Sequence, residues 1–235
     1  MRQPSLRPVG HPLENPSALV LVLHGGQSQG HGNPHRFRLA YRRMLPFARR
    51  LDRAGRDRGL AVSMVHYRYR GWNAPDMDAK LDTLSLLEDS ARRHPGTPVV
   101  LVGHSMGGRA ALHAGGHPSV RAVCALAPWL DGTDPVAQLA GRTVLIAHGD
   151  RERMTDPGES YAFAVRAKRV TDRVCRFDVH GDGHAMLKRA RDWHSLVSRF
   201  VLGELGIEPP DPEITNALRQ PAPAGLRAAL AGVQR

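Results

Sequence analysis

The sequence predicts an α/β fold with a mostly parallel central sheet and helices on both faces. Short apolar runs alternate with longer segments of helical period, and Gly or Pro residues separate them. Consecutive parallel strands need such helical connections, and strands covered on both faces are apolar throughout. With 235 residues, of which 41% are hydrophobic and 23% charged, the chain has the size and composition of a single globular domain.

The predicted elements follow one another in regular order. Strands are predicted at 18–23, 60–66, 98–102, 120–127, 143–147 and 173–179. Helices are predicted at 37–53, 77–93, 105–115, 157–168 and 187–205. This alternation predicts one domain over residues 1–205. Residues 206–235 contain five prolines and otherwise much Ala and Leu, so we expect a C-terminal tail that ends in a short helix from Ala224.

Charge and composition argue against several classes of protein. The net charge is +11, but the arginines are scattered and aromatic residues make up only 5%, which favours a solvated surface over a nucleic-acid interface. The N-terminal segment lacks the apolar core of a signal peptide, and no apolar stretch is long enough to cross a membrane, so we expect a cytoplasmic protein. Cys124 and Cys175 are predicted core residues, and no spacing typical of a metal site occurs.

The strongest chemical signal is a G-x-S-x-G motif formed by Gly103, Ser105 and Gly107. It follows a buried strand and precedes a helix, which is the context that a nucleophile elbow requires. The turn is so tight that the glycines remove side chains that would collide, and it lifts the Ser105 hydroxyl above the sheet. The helix that begins behind it supplies backbone N–H groups and a partial positive field for an oxyanion. Ser105 is therefore the predicted nucleophile.

With this motif, residues 18–205 resemble the α/β-hydrolase superfamily, in particular its cap-less, esterase-like serine hydrolases. The resemblance implies that nucleophile, acid and histidine follow one another in that order. With about six predicted strands, the N-terminal antiparallel strands of larger relatives are expected to be reduced or absent. Too few residues lie between Pro128 and Arg142 for a helical cap, so we expect an open site.

The base and the acid are expected in loops after the last two strands. His184 is the preferred base because the catalytic histidine of the family follows a Gly and precedes the final helix, while His180 is the alternative at the strand end. The acid position of the family's H-G-x-x-D pattern is occupied by Glu152, where Asp is usual. Asp156 is the second candidate, although it precedes a proline and also fits a helix cap; Asp150 is a third.

Two backbone donors are needed for an oxyanion hole. Met106 follows the nucleophile, and Gly26 matches the donor in the loop after the first strand, with Gln27 as its neighbouring alternative. The Gly- and His-rich segment 27–35 is expected to be a mobile active-site loop. Pocket walls are predicted from residues that follow strands, where ligands bind in such sheets. These are Gln27, Trp72, Trp129, Met154 and Met186.

The resemblance and the motif together predict a serine hydrolase that cleaves a carboxylic ester or related acyl bond of a small molecule through an acyl-enzyme. A thioesterase or an acyltransferase on the same residues is the close alternative. A non-catalytic binding protein on the same fold is the hypothesis from another class, and the Glu at position 152 keeps it open. No metal or organic cofactor is implied, and neither nucleic acid nor membrane is an expected partner.

Overall fold

The computed structural model describes residues 2–33 and 38–232, and at their centre lies an eight-stranded sheet. Its order is β1-β3-β2-β4-β5-β6-β7-β8; β1 runs antiparallel to β3, and all other neighbours are parallel. The strands are β1 (Ser5–Pro8), β2 (Ala18–Leu23), β3 (Leu60–His66), β4 (Val99–His104), β5 (Val120–Leu126), β6 (Thr143–Gly149), β7 (Val174–Val179) and β8 (Ala228–Ala229).

Helices cover both faces of this sheet. They are α1 (Leu39–Gly55), α2 (Asp78–Arg93), α3 (Met106–Ala114), α4 (Pro157–Ala167), α5 (Ala190–Glu204) and α6 (Pro212–Arg219). Side chains of α1, α5 and α6 form one apolar cluster with the sheet, and those of α2, α3 and α4 form the other. β2 shows the principle, because Val20 and Val22 point into the first cluster while Leu19 and Leu21 point into the second. The predicted α/β fold with helices on both faces is confirmed.

The strand order opens a crevice where the candidate site lies. β2 sits between β3 and β4. From β2 the chain crosses to β3 on one side of the sheet, and from β4 it crosses to β5 on the other side. The helices that follow, α1 and α3, accordingly pack on opposite faces. In open α/β sheets, ligands bind outside the carboxyl ends of strands at such a switch point. Between β5 and β6 there is only a short 3-10 turn, Ala137–Leu139, and no cap domain.

The C-terminal segment differs from the predicted tail. Asp211 caps α6 by accepting from the Ile214 N–H at 3.0 Å, and Ile214 is buried against the sheet. β8 then pairs with β7, followed by a hydrogen bond from the Leu230 N–H to the Asp178 carbonyl at 3.0 Å. The helix expected from Ala224 is a single 3-10 turn. Residues 212–230 therefore complete the same domain, because Ile214, Ala217, Leu226 and Leu230 are buried in the core.

The N-terminal strand β1 was also absent from the sequence prediction. Its four residues, Ser-Leu-Arg-Pro, show too little alternation to indicate a strand, and Pro8 ends it at the sheet edge, where a missing N–H costs no ladder bond. One antiparallel strand thus remains at the N-terminus, in line with the expected reduction. Among residues 2–33 and 38–232, no helix combines the length and the apolar character that crossing a membrane requires.

Candidate active site

Ser105 occupies a strained turn between β4 and α3. Its φ of 56° and ψ of −120° lie where non-glycine residues are rare. The turn is closed by backbone packing: a methyl group on Gly103 would lie 2.2 Å from the Gly107 carbonyl oxygen. One on Gly107 would lie 2.5 Å from the Leu23 carbonyl oxygen. Both glycines of the motif are therefore required sterically, and the backbone makes the sharp strand-to-helix turn that the motif predicts, while the nucleophilic role of Ser105 stays a prediction.

The loop after β2 lies directly against this elbow. A methyl group on Gly25 would be 3.4 Å from the Ser105 Cβ, and one on Gly26 would be 2.5 Å from the Met106 sulfur. The Gln27 N–H donates to the Arg70 carbonyl at 3.0 Å and is already used. Within the described residues no hydrogen bond engages the Gly26 N–H, and Met106 is the first residue of α3, where N–H groups lack helical partners. Gly26 and Met106 thus remain the predicted oxyanion donors.

Glu152 and His184 form a buried pair. The His184 Nδ1 donates to the Glu152 Oε2 at 2.8 Å, and the Glu152 side chain has 0% exposure. The other carboxylate oxygen, Oε1, accepts from the N–H groups of Arg153 and Met154, both at 2.7 Å. Burial alone raises the pKa of Glu152, but these hydrogen bonds outweigh it and lower the pKa to about 2. Glu152 is therefore ionised, and its bond to Nδ1 leaves the Nε2 of His184 for proton transfer.

The other two candidate acids have different partners. Asp156 caps α4, accepting from the Gly158 N–H at 2.7 Å. Asp150 accepts from the Nδ1 of His180 at 3.0 Å, and this pair is exposed. Each alternative in the sequence analysis is thus accounted for by a local role, and Glu152 is the carboxylate that the fold brings to His184.

His104, the residue before Ser105, connects the turn at Ser105 to the histidine loop. Its Nε2 donates to the His184 carbonyl at 3.0 Å, and the two rings are 4.6 Å apart. Burial lowers the pKa of His104 to about 3, so the ring is neutral at physiological pH. No hydrogen bond among the described residues joins the Ser105 hydroxyl to His184. Such bonds are commonly long without substrate and tighten in the complex.

Buried side chains hold the histidine loop from behind. Asp182 is 3% exposed and accepts from the Trp193 Nε1 at 3.1 Å and from the Arg189 N–H at 2.9 Å. On the opposite side, the Arg43 guanidinium of α1 donates to the Ala185 carbonyl. The Arg43 contact was not apparent from the sequence because it joins residues 142 positions apart. Together, these contacts fix the loop on both sides of His184.

Only part of the predicted pocket wall is found on a surface. Trp72 and Met186 are 2% and 3% exposed, so they are core residues and cannot offer a substrate more than a trace of surface. Trp129 is half-buried, and Met154 is 75% exposed. Gln27 lines a cavity of about 370 Å³ beside the oxyanion loop. Trp72 and Met186 are corrected on this ground: an apolar side chain at a strand end is buried as readily as it lines a pocket.

A buried arginine that the sequence analysis did not single out supports the elbow. The Arg109 guanidinium lies 4.8 Å from the rings of both Trp72 and Trp129, and it pairs with Asp131 and Asp134 at 2.5 and 2.6 Å. The backbone N–H groups of Arg109 and Trp129 both donate to the Ser105 carbonyl, at 3.1 and 3.2 Å. Trp72 and Trp129, which were predicted to line the pocket, thus pack against Arg109 and support the turn at Ser105.

The expected mobile loop is tied down over its described part, up to Asn33. The Trp72 N–H donates to the Gln27 carbonyl at 2.8 Å, and the Gly71 N–H donates to the Gly30 carbonyl at 2.9 Å. The side chain of Asn73 accepts from the Gly30 N–H at 2.7 Å. His35 lies outside the described residues. Within the described ranges, no group of three or more potential ligands is arranged to hold a metal ion.

The fold and the elbow together define an α/β hydrolase. A sequence model of the alpha/beta hydrolase family matches residues 20–233, and the chain belongs to this family. No curated protein sequence matches it.

Several solved structures share the fold. Est1E from Butyrivibrio proteoclasticus has a TM-score of 0.63 at 16% identity, over 86% of this chain and 94% of that one. The esterase Pf2001 from Pyrococcus furiosus has a TM-score of 0.61 at 16% identity, over 80% and 81%. XC6422 from Xanthomonas campestris, described as an α/β serine hydrolase without lid, has a TM-score of 0.58 at 18% identity, over 89% and 97%. At these identities the likeness shows the fold alone.

Proposed function

We propose that this protein is a serine hydrolase that cleaves carboxylic esters through an acyl-enzyme. One observation carries the proposal: a buried, ionised Glu152 is hydrogen-bonded to His184 in the loop that contacts the residue before Ser105. A serine hydroxyl is a weak nucleophile until a base takes its proton, and a carboxylate behind the base fixes its tautomer. The esterase Pf2001 among the structural neighbours favours esters as the substrate class.

The reaction begins when the Nε2 of His184 takes the proton of the Ser105 hydroxyl as its oxygen attacks the ester carbonyl. The resulting oxyanion accepts hydrogen bonds from the N–H groups of Gly26 and Met106. Glu152 stabilises the imidazolium through Nδ1. Collapse of the intermediate breaks the bond to the alkoxide, which leaves with the proton from His184, and the acyl group stays on Ser105. A water molecule, deprotonated by His184, then repeats the sequence and releases the carboxylic acid.

Hydrolysis of p-nitrophenyl acetate, p-nitrophenyl butyrate and phenyl thioacetate tests this proposal. We expect a burst of p-nitrophenol equal to the enzyme concentration if deacylation is slower than acylation. Ser105→Ala should lower kcat by at least about 10³-fold. Ser195→Ala, a half-buried serine on α5 without a role in the site, serves as the matched control and should keep the wild-type rate.

Two outcomes would change the conclusion. A wild-type protein that hydrolyses none of the three substrates, or hydrolysis that survives in Ser105→Ala, would overturn the proposal. A rate at least about tenfold higher on the thioester than on the esters, relative to their uncatalysed rates, would move the assignment from esterase to thioesterase.

A further inference from the structure

The cavity beside the oxyanion loop is the starting point. Its volume is about 370 Å³, enough for a small acyl or alcohol group, and its walls include Gly25, Gly26 and Arg70 together with the first residues of α1 from Arg38 to Tyr41. Because a methyl group on Gly25 would lie 3.4 Å from the Ser105 Cβ, the cavity borders the reacting centre. A substrate bound at Ser105 therefore has this space next to it.

The charge on the cavity wall is positive and uncompensated. Two arginines, Arg38 and Arg70, line it, and the lining residues that the structure describes include no Asp or Glu. Arg70 takes part in no ion pair among the described residues, and its Nε is buried without a hydrogen-bond partner. A guanidinium without an acidic partner at a cavity wall leaves its charge available to a bound anion.

The neighbouring Arg68 differs from Arg70 because its charge is balanced by carboxylates. Arg68, two residues earlier in the same loop, pairs with Asp78 at 3.0 Å and also with Asp82. Arg109 and Arg176, which are buried, likewise each contact a carboxylate. Arg68, Arg109 and Arg176 thus each contact a carboxylate, whereas Arg70, which lines the cavity, has no ion pair among the described residues.

The start of α1 also favours a negatively charged occupant. α1 begins at this cavity without a side-chain cap from Arg38 and without an acidic residue in its first turn. The partial positive charge of its N-terminus therefore adds to that of the arginines.

We propose that this cavity binds a carboxylate of the substrate through Arg70, assisted by Arg38, so that the enzyme prefers esters that carry a second, ionised carboxyl group. This inference rests on the proposed ester hydrolysis. It assigns Arg70 as a specificity-determining residue, because a guanidinium recognises a carboxylate by paired hydrogen bonds that an amide or a methyl ester cannot replace.

The test compares substrates that differ only in charge. Monoethyl adipate carries the carboxylate on the acyl side, and ethyl adipamate is its neutral isostere; 4-acetoxybutanoate and 4-acetoxybutanamide place the same pair on the leaving group. We expect the anionic member of one pair to have a kcat/KM at least about tenfold higher than the neutral member, mainly through KM. The pair that shows the difference identifies the side of the ester that enters the cavity.

Two variants separate Arg70 from the general positive charge. In Arg70→Gln the anionic-to-neutral ratio of kcat/KM should fall at least about tenfold. Arg49→Gln removes one positive charge from the exposed face of α1 and should leave the ratio unchanged. Equal rates on both members of both pairs, or a ratio unaffected by Arg70→Gln, would overturn the inference while leaving ester hydrolysis intact.

A binding measurement keeps the inference testable without turnover. Calorimetric titration of Ser105→Ala with monoethyl adipate and 4-acetoxybutanoate should show tighter binding of at least one of them than of its amide, and adding Arg70→Gln should abolish that preference. Absence of any preference in this titration contradicts the cavity assignment. If Ser105→Ala bound the anionic ester more tightly than its amide but the wild-type protein hydrolysed neither, the proposed function would be contradicted and the cavity assignment would stand.

Discussion

The two halves of the candidate site are held in different ways. On the nucleophile side, Ser105 is fixed by backbone packing, with Gly103 and Gly107 so close to neighbouring carbonyl oxygens that no side chain fits. On the histidine side, the position of His184 depends on side-chain hydrogen bonds, chiefly those of Glu152 from another loop and of Asp182 from the same loop. The first half is therefore expected to be rigid and intolerant of substitution, whereas the second should respond in steps to lost hydrogen bonds and to pH.

The largest effect is expected from one methyl group at the elbow. Gly103→Ala places its Cβ 2.2 Å from the Gly107 carbonyl oxygen, so backbone must move and Ser105 is misplaced. We expect kcat/KM to fall by at least about 10²-fold and the free energy of unfolding by several kcal/mol. Urea denaturation and ester kinetics measure both.

The matched control is Gly203→Ala in α5, where the new Cβ would lie 3.4 Å from its nearest neighbour, an ordinary contact. This helix position should be neutral or stabilised by up to about 1 kcal/mol. If Gly103→Ala behaved like Gly203→Ala, steric packing would not be what fixes the nucleophile.

A second effect should appear on the histidine side. Glu152→Gln keeps the shape of the side chain but removes the charge behind His184, and we expect kcat to fall by about 10²–10⁴-fold with little change in stability. Asp156→Ala removes only a helix cap, so it should cost about 1 kcal/mol of stability and leave kcat within about twofold. The reverse pattern would make Asp156 the acid and would contradict the geometry described for Glu152.

Acid should weaken the fold around the site in a predictable direction. Burial lowers the pKa of His24 from 6.5 to about 4, and that of His104 and His148 to about 3. Below pH 6.5 the unfolded chain binds protons that the folded chain excludes, so stability falls as the pH falls from 6.5 toward 4. Each such proton adds about 1.4 kcal/mol per pH unit to the slope.

Urea unfolding between pH 7.5 and 5.5 measures this slope above the range in which Glu152 titrates. The variant His148→Gln should reduce the slope by up to one proton, because it removes one of the three histidine rings whose lowered pKa is given above. A free energy of unfolding that stays constant over this interval would show that the buried rings take up protons without unfolding.

The contrast between the two halves also explains what the sequence allowed us to predict. The bounds of β2 and β3 agree with the predicted 18–23 and 60–66, because buried strands have continuous or alternating apolar runs in the sequence. The elbow could be predicted because Gly103, Ser105 and Gly107 are adjacent in sequence and their roles are local. The fold class and the contacts between residues close in sequence could therefore be predicted from the sequence.

The remaining features depend on contacts between distant segments. The sequence left three candidate acids, because Glu152, Asp150 and Asp156 all lie in one short loop. Their roles differ only through their partners in the fold, which are His184, His180 and the first turn of α4, respectively. Trp72 was predicted to line the pocket because it follows a strand. Its ring instead packs on the guanidinium of Arg109, a residue distant in sequence, at 4.8 Å. α6 and β8 were hidden because prolines in their segment suggested a tail, although Pro at the first helical position favours a helix start.

The most direct test of the central claim is to locate a covalent adduct on the nucleophile. A fluorophosphonate probe reacts with a serine only when a neighbouring base and an oxyanion hole activate it. After incubation at neutral pH, peptide mass spectrometry should find the adduct on Ser105 in the wild type, slower labelling in Glu152→Gln, and none in Ser105→Ala. Wild-type protein that stays unlabelled, or an adduct on another serine, would contradict the assignment of Ser105, His184 and Glu152 as one catalytic unit.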